Sequence, residues 1–289
     1  MSPSLELAAR ISVFAFVVSS MLSAGLTLSI QSLQAQFKSA RLVVAALAAN
    51  FVLVPLSAYV ITRAFPVQQN AAIALLLLGT AAGAPLLPKL VEFARGNLAL
   101  AVGLMALLMS GTIITMPFVL PMILPGSRAS AWSIAKPLLF VVLPALAAGL
   151  GTRAYREAFA VRIQPIFRLA SNVTLVGVIV VAIAANISKV PGTGTFSAVV
   201  AGTIFIFASF GIGYALGGPD ADTRKVLALG TTQRSSSIAF LVAVENFRGS
   251  DVVDALAILV SLALIIQVAL AFVLGRYSKR RAGAVQQDR

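Results

Sequence analysis

Histidine and cysteine are both missing from this chain of 289 residues. Without cysteine there is no disulfide framework, no thiolate nucleophile and no sulfur-ligated metal. Without histidine there is no imidazole metal ligand, no histidine proton relay and no Ser–His triad. Charge is nearly as scarce. Only 11 % of residues are charged, against ~25 % in a soluble domain. Acids number nine in all: Glu6, Glu92, Glu157, Asp220, Asp222, Glu245, Asp251, Asp254 and Asp288. With no nucleophile–base pair and no ligand cluster to assemble, the composition points away from an enzyme.

What remains is apolar: 59 % of residues are hydrophobic, and mean hydropathy is +0.98. Such a chain belongs in a bilayer. The net charge of +13 does not imply a nucleic-acid partner, because the basic residues are scattered between apolar segments and form no patch. The start, MSPSLELAAR, lacks a basic n-region, and the first apolar run has no clear cleavage site. It is expected to be a retained membrane helix and not a signal peptide.

A spanning helix needs ~20 mostly apolar residues. Nine segments qualify: about 7–30, 42–64, 71–93, 98–124, 132–150, 169–187, 196–216, 226–247 and 252–274. A polar, amphipathic stretch, 31–41, is expected at the interface, and 153–168 is expected to be a basic connector. Lysine and arginine in short loops stay cytoplasmic. With the C-terminus inside, fourteen basic residues fall on the inner side and six on the outer. The expected orientation is therefore N-terminus outside and C-terminus inside, in a cell membrane. Trp132 and Tyr155 suit interfacial anchors, and the lone polar residues Asn172 and Gln267 suit contacts between helices.

Two of the nine segments are interrupted. Leu78–Lys89, LGTAAGAPLLPK, holds Gly83, Pro85 and Pro88, and Leu229–Ser237 reads LGTTQRSSS. Each carries one cation, Lys89 or Arg234, where the middle of a bilayer is expected. Leu78-Gly79-Thr80 recurs as Leu229-Gly230-Thr231, and Glu92-Phe93-Ala94-Arg95-Gly96 recurs as Glu245-Asn246-Phe247-Arg248-Gly249. The topology places Arg95 inside and Arg248 outside, so the copies run in opposite directions. The expected fold is thus an all-α polytopic membrane protein with inverted repeats, 1–125 and 126–289. Interrupted hydrophobic segments at matching places in two halves are a pointer to the binding site of a secondary transporter.

None of the nine acids falls at either break. Glu92 and Glu245 are expected to pair locally with Arg95 and Arg248. The cations at the breaks admit two roles. Arg234 and Lys89 can form an anion site together with free N–H groups of the half-helices. Alternatively the guanidinium stands in for a bound cation, held by backbone carbonyls near Gly79 and Gly230. Lys89 can also simply snorkel to the inner face. The polar lining candidates are Thr80, Thr231, Thr232, Gln233, Ser235 and Ser236. About half of these are expected only to satisfy unwound backbone.

These residues resemble the bile acid:sodium symporter family. Ser23-Ala24-Gly25-Leu26-Thr27-Leu28 is similar to that family's Met-Gly-Leu-Thr-Leu signature. Phe93-Ala94-Arg95-Gly96-Asn97-Leu98-Ala99-Leu100 is similar to its Ala-Arg-Gly-Asn-x-Ala-Leu run, and 225–239 to the segment entering its second broken helix. The resemblance covers nearly the whole chain. It implies interleaved panel and core domains, two broken helices (71–93 and 226–247) crossing in the core, and an alternating-access carrier of small organic anions. It also implies where sodium ligands would fall. Those places read Leu87, Pro88, Ala101 and Met105 here, and the acid of the second break is replaced within Gly230–Ser235. Arg234 stands where the family has Gln, and Asn50 resembles a retained amide position. The expected function is therefore a sodium-independent secondary carrier of organic anions. Two alternatives stand beside it: a symporter with a degenerate sodium site built from Asn50, Thr231, Gln233 and carbonyls, and a non-transporting membrane sensor of the same fold.

Overall fold

Buried backbone in lipid must find all its partners within the protein, and a chain this apolar meets that demand with helices. The computed structural model describes residues 3–28, 40–124, 130–185, 193–247 and 251–287, with backbone alone at 3–9, 181–185, 193–194 and 278–287. Every element among the described residues is a helix. In chain order these are α1 (Pro3–Thr27), α2 (Ala40–Ala64), α3 (Gln69–Thr80), α4 (Leu87–Phe93), α5 (Leu98–Ile123), α6 (Ala131–Tyr155), α7 (Glu157–Ala185), α8 (Thr193–Leu216), α9 (Ala221–Thr232), α10 (Ser236–Asn246) and α11 (Val252–Gln287).

Seven of these are long and apolar enough to cross a membrane: α1, α2, α5, α6, α7, α8 and α11. The other four are two pairs, α3–α4 and α9–α10, each interrupted in the middle. A twelve-residue helix such as α3 is ~18 Å long, well short of a ~30 Å hydrocarbon core. The chain is an all-α polytopic membrane protein. Two segments differ from expectation. The basic stretch 153–168 is not a loose connector, since the chain turns at Arg156 and α7 is already helical from Glu157. Likewise α11 continues past residue 274 to Gln287. Hydropathy marks only the lipid-facing part of a helix, and both helices extend beyond it as polar turns. The amphipathic stretch expected at 31–41 lies almost wholly outside the described residues, with helix beginning at Ala40.

Two spans contain a π-helical turn, Ala49–Leu53 in α2 and Leu138–Val142 in α6. Proline follows each within two residues, at Pro55 and Pro144. Proline has no N–H to give the preceding turn, and the wider turn absorbs the mismatch.

The helix α1 packs against α6 and α7. Its closest approach to α6 is at two glycines. A Cβ on Gly149 would lie 2.6 Å from the Leu22 carbonyl oxygen and 2.9 Å from the Gly25 Cα. Across the same end of α1, the Gln164 amide donates to Ser23 Oγ and Thr27 Oγ1, each at 3.3 Å. The Ser23–Leu28 motif is therefore a helix-crossing motif. The Arg95-Gly96-Asn97 motif is a helix-to-helix turn. Gly96 N–H donates to Val91 O and Arg95 N–H to Glu92 O, closing α4 with Arg95 in the left-handed region at φ 53°. Asn97 Oδ1 then accepts from Leu100 N–H at 3.0 Å and caps α5.

Candidate functional site

The two interruptions meet. Residues 81–86 separate α3 from α4, and 233–235 separate α9 from α10. Ala82 and Arg234 pair as an isolated antiparallel bridge, and Ser235 N–H donates to Ala81 O at 2.8 Å. Gly83 follows with φ +75°, and a Cβ there would lie 2.7 Å from Met109 N, so only glycine fits. The helix after each break sends back one side chain. Thr112 on α5 donates to Ala82 O at 2.8 Å. Gln267 on α11 donates to Thr232 O at 2.8 Å. Thr112 lies 14 residues after Leu98 and Gln267 lies 15 after Val252, so the two props occupy matching places in the helices that follow the breaks. Gln267 was expected only as a contact between helices, and Thr112 was not expected at all. The signal for both was a polar residue at the same depth of the apolar helix following each break.

Arg234 is 6 % exposed and its guanidinium is engaged on several sides. Nε donates to Leu78 O at 2.9 Å, and one terminal nitrogen donates to Gly79 O at 2.5 Å. The other donates to Asn50 Oδ1 at 2.9 Å and to Thr231 O at 3.4 Å. Asn50 sits in the π turn of α2, and its own amide nitrogen donates to Ala46 O at 3.0 Å. That bond fixes which end of the amide faces Arg234.

Of the two roles open to the guanidinium, the geometry matches the one held by backbone carbonyls. Position 234 precedes the first turn of α10, but the side chain does not face that helix end. The side chain instead folds back onto the last turns of α3 and α9. Leu78, Gly79 and Thr231 all belong to those turns. Each helix C-terminus carries roughly −0.5 charge, so two of them offset one guanidinium without any carboxylate. Among the described residues no acid contacts Arg234 and no cluster of metal-ligating acids exists.

Lys89 goes elsewhere. Its side chain is 48 % exposed, its ammonium bonds Glu92 at 2.7 Å, and it lies 5.1 Å from the centre of the Phe93 ring. The expected meeting of Lys89 with Arg234 is not present, because the first turn of α4 points the lysine outward. Glu92 accordingly pairs with Lys89 and not with Arg95. Arg248, the expected partner of Glu245, lies outside the described residues.

The three threonines turn inward on their own helices. Thr80 donates to Leu76 and Leu77 carbonyls, Thr231 to Leu227 and Ala228, and Thr232 to Ala228 and Leu229. Ser235 and Ser237 hydroxyls are 3.3 Å apart. Ser236, Gln233 and Arg234 border a cavity of about 30 Å³ between α3, α8, α11 and the second break. The rest of its wall is chiefly apolar. That volume corresponds to about two waters.

The family model for sodium bile acid symporters matches residues 14–192. The chain belongs to the sodium bile acid symporter family. This symporter-family protein is therefore a member of a transporter family, with membrane-spanning helices to match. The matched region includes the first break and stops before α9, so the second break with Arg234 lies outside it. None of the curated proteins matches the chain.

Proposed function

We propose that this protein is a secondary carrier of small organic anions, that it works by alternating access, and that it needs no sodium. The observation that carries the reading is the occupied crossover: three backbone carbonyls and the Asn50 amide oxygen converge on the Arg234 guanidinium. Carbonyls at unwound helix ends hold coupling cations in secondary transporters. Here the N–H groups of a covalently attached cation occupy these acceptors. Having spent most of its donors on these acceptors, Arg234 is a poor bidentate clamp for a carboxylate. It supplies long-range positive charge and holds the crossover closed.

In this reading α1, α6 and α7 form the panel, and the remaining helices form the core that carries the crossover. Gln233, Ser235 and Ser236 are the polar lining that remains beside Arg234 and Asn50. Thr80, Thr231 and Thr232 offer lone pairs only. Lys89 stands at the approach to the site, on the exposed side of α4, where it attracts anions without binding them. The basic ends, with the C-terminus, face the cytoplasm.

The test is uptake of a panel of organic anions into proteoliposomes, with sodium replaced throughout by potassium or choline. Uptake persists unchanged in the substituted buffers, and Arg234→Ala abolishes it. Strict dependence on sodium would overturn the assignment of Arg234.

A further inference from the structure

The carrier reading leaves the anion without a clamp, because Arg234 has spent most of its donors at the crossover. Another arginine has not. Arg168 and Asn172 lie one turn apart on α7, both exposed, and neither makes a hydrogen bond or ion pair among the described residues. Glu157, the one acid of α7, is ~17 Å away along the helix and pairs with Arg153 at 3.0 Å. Their depth follows from α1. Gln164 bonds Ser23 and Thr27, which belong to the apolar span Arg10–Thr27. Arg168 and Asn172 stand ~6 and ~12 Å further along α7, within the level of that span. An arginine there without a partner marks a functional site by default.

Their direction follows from α7 itself. Ala160, Ser171 and Val178 are its buried line, on the side where Gln164 meets α1. Ile166, Leu169 and Val173 are its lipid line, at 64, 64 and 61 % exposure. Arg168 and Asn172 belong to neither. Each stands seven residues before a side chain, Leu175 or Ile179, that packs against the buried core, and residues seven apart share a helix face. The helix of the proposed core against which α7 packs is α11.

We infer that this flank of α7 lines the cleft between panel and core, and that Arg168 and Asn172 receive the anionic group of the substrate there. The guanidinium, with its N–H groups free, grips a carboxylate or sulfonate through two oxygens, and the Asn172 amide donates one turn deeper. This rests on the carrier reading above and gives its site a panel half.

The chain has no cysteine, so Asn172→Cys carries a single thiol in the full-length protein. In lipid nanodiscs it is labelled with an anionic and a cationic methanethiosulfonate, bearing a sulfonate or a trimethylammonium group. Relative to the same reagents on free cysteine, the anionic one is favoured about tenfold by the adjacent charge. Potassium benzoate slows that labelling and benzyl alcohol does not. Arg168→Lys in the same background keeps the preference, whereas Arg168→Gln loses it. Val173→Cys, on the lipid line, reacts with neither reagent. Asn172→Cys as inert as Val173→Cys, or a labelling rate indifferent to benzoate and to the charge at position 168, overturns the inference; anion flux that persists in that case leaves the carrier standing. Labelling as expected with no flux of any anion leaves an anion-binding cleft and overturns the carrier.

Discussion

A single side chain, Arg234, organises the crossover. Replacing it by Met removes the donors and leaves Leu78 O, Gly79 O, Thr231 O and Asn50 Oδ1 to find others. Each orphaned buried acceptor costs about 1–3 kcal/mol, so Arg234→Met is expected to destabilise by at least ~3 kcal/mol, read as a lower melting temperature in detergent. Arg234→Gln is more informative. It empties the oxygen cluster of its tethered charge and keeps an amide there, so the variant is expected to gain sodium-dependent thermal stabilisation that the parent lacks. A melting temperature indifferent to sodium in the variant would count against the cluster as a cation site. The sequence revealed that Arg234 was anomalous. It left two roles open, an anion site and a cation held by carbonyls near Gly79 and Gly230, because a residue just before one helix reaches the C-termini of two others only when the breaks cross. Lys89 shows the same limit: an outward turn was one of the roles left open, and only the folded α4 shows it paired with Glu92.

Helices supply the next level. The α1–α6 contact depends on backbone approaching backbone at Gly25 and Gly149, and Gly149→Leu is expected to cost several kcal/mol through overpacking. Loss of folded protein in size-exclusion chromatography checks this, and Gly151→Leu is the control, because that site is open space. At the start of α9, Asp220 accepts from Thr223 N–H at 2.8 Å and from its hydroxyl at 2.6 Å. The hydroxyl bond above all holds the carboxyl below its usual 3.8. A carboxylate depressed in the folded state stabilises above the unfolded value and loses that contribution as pH falls through the folded one. The cap therefore acts at neutral pH and fades below about pH 4. Asp220→Ala is expected to cost ~1 kcal/mol at pH 7 and less as pH falls below about 4, in thermal melts across that range. Element order was largely legible in the hydropathy and the two interrupted segments. The early start of α7 and the long tail of α11 were not, since polar helical turns outside the bilayer carry no apolar signal.

For the molecule as a whole, the absence of cysteine makes the alternating-access reading directly testable. The amide of Asn246 on α10 donates to the Ser133 carbonyl on α6 at 3.4 Å, across the contact between the proposed core and panel. A Ser133→Cys, Asn246→Cys pair bridged by a short bifunctional thiol reagent is expected to lose transport, and a cleavable version regains it on reduction. Undiminished flux in the bridged protein would mean that these two helices stay together throughout the cycle. The sequence suggested an inverted repeat from two short anchors and an expected change of sidedness. It did not suggest Thr112 and Gln267 propping one break each, because it takes the folded helices to bring α5 and α11 alongside.

Under the proposed carrier reading, the guanidinium at the crossover also sets the electrical terms of the cycle. A bound sodium is released on the far side, but Arg234 stays with the protein that moves. Loaded with a monovalent anion, the mobile part is neutral. Returning empty, it carries a positive charge back through the field, at up to ~2.3 kcal/mol per 100 mV. With the interior negative, that return opposes net import and rewards coming back with another anion aboard. If the protein is the carrier proposed above, it is expected to behave as an exchanger: efflux of one labelled anion accelerated by a second on the opposite side, with a current seen only when the second is withheld.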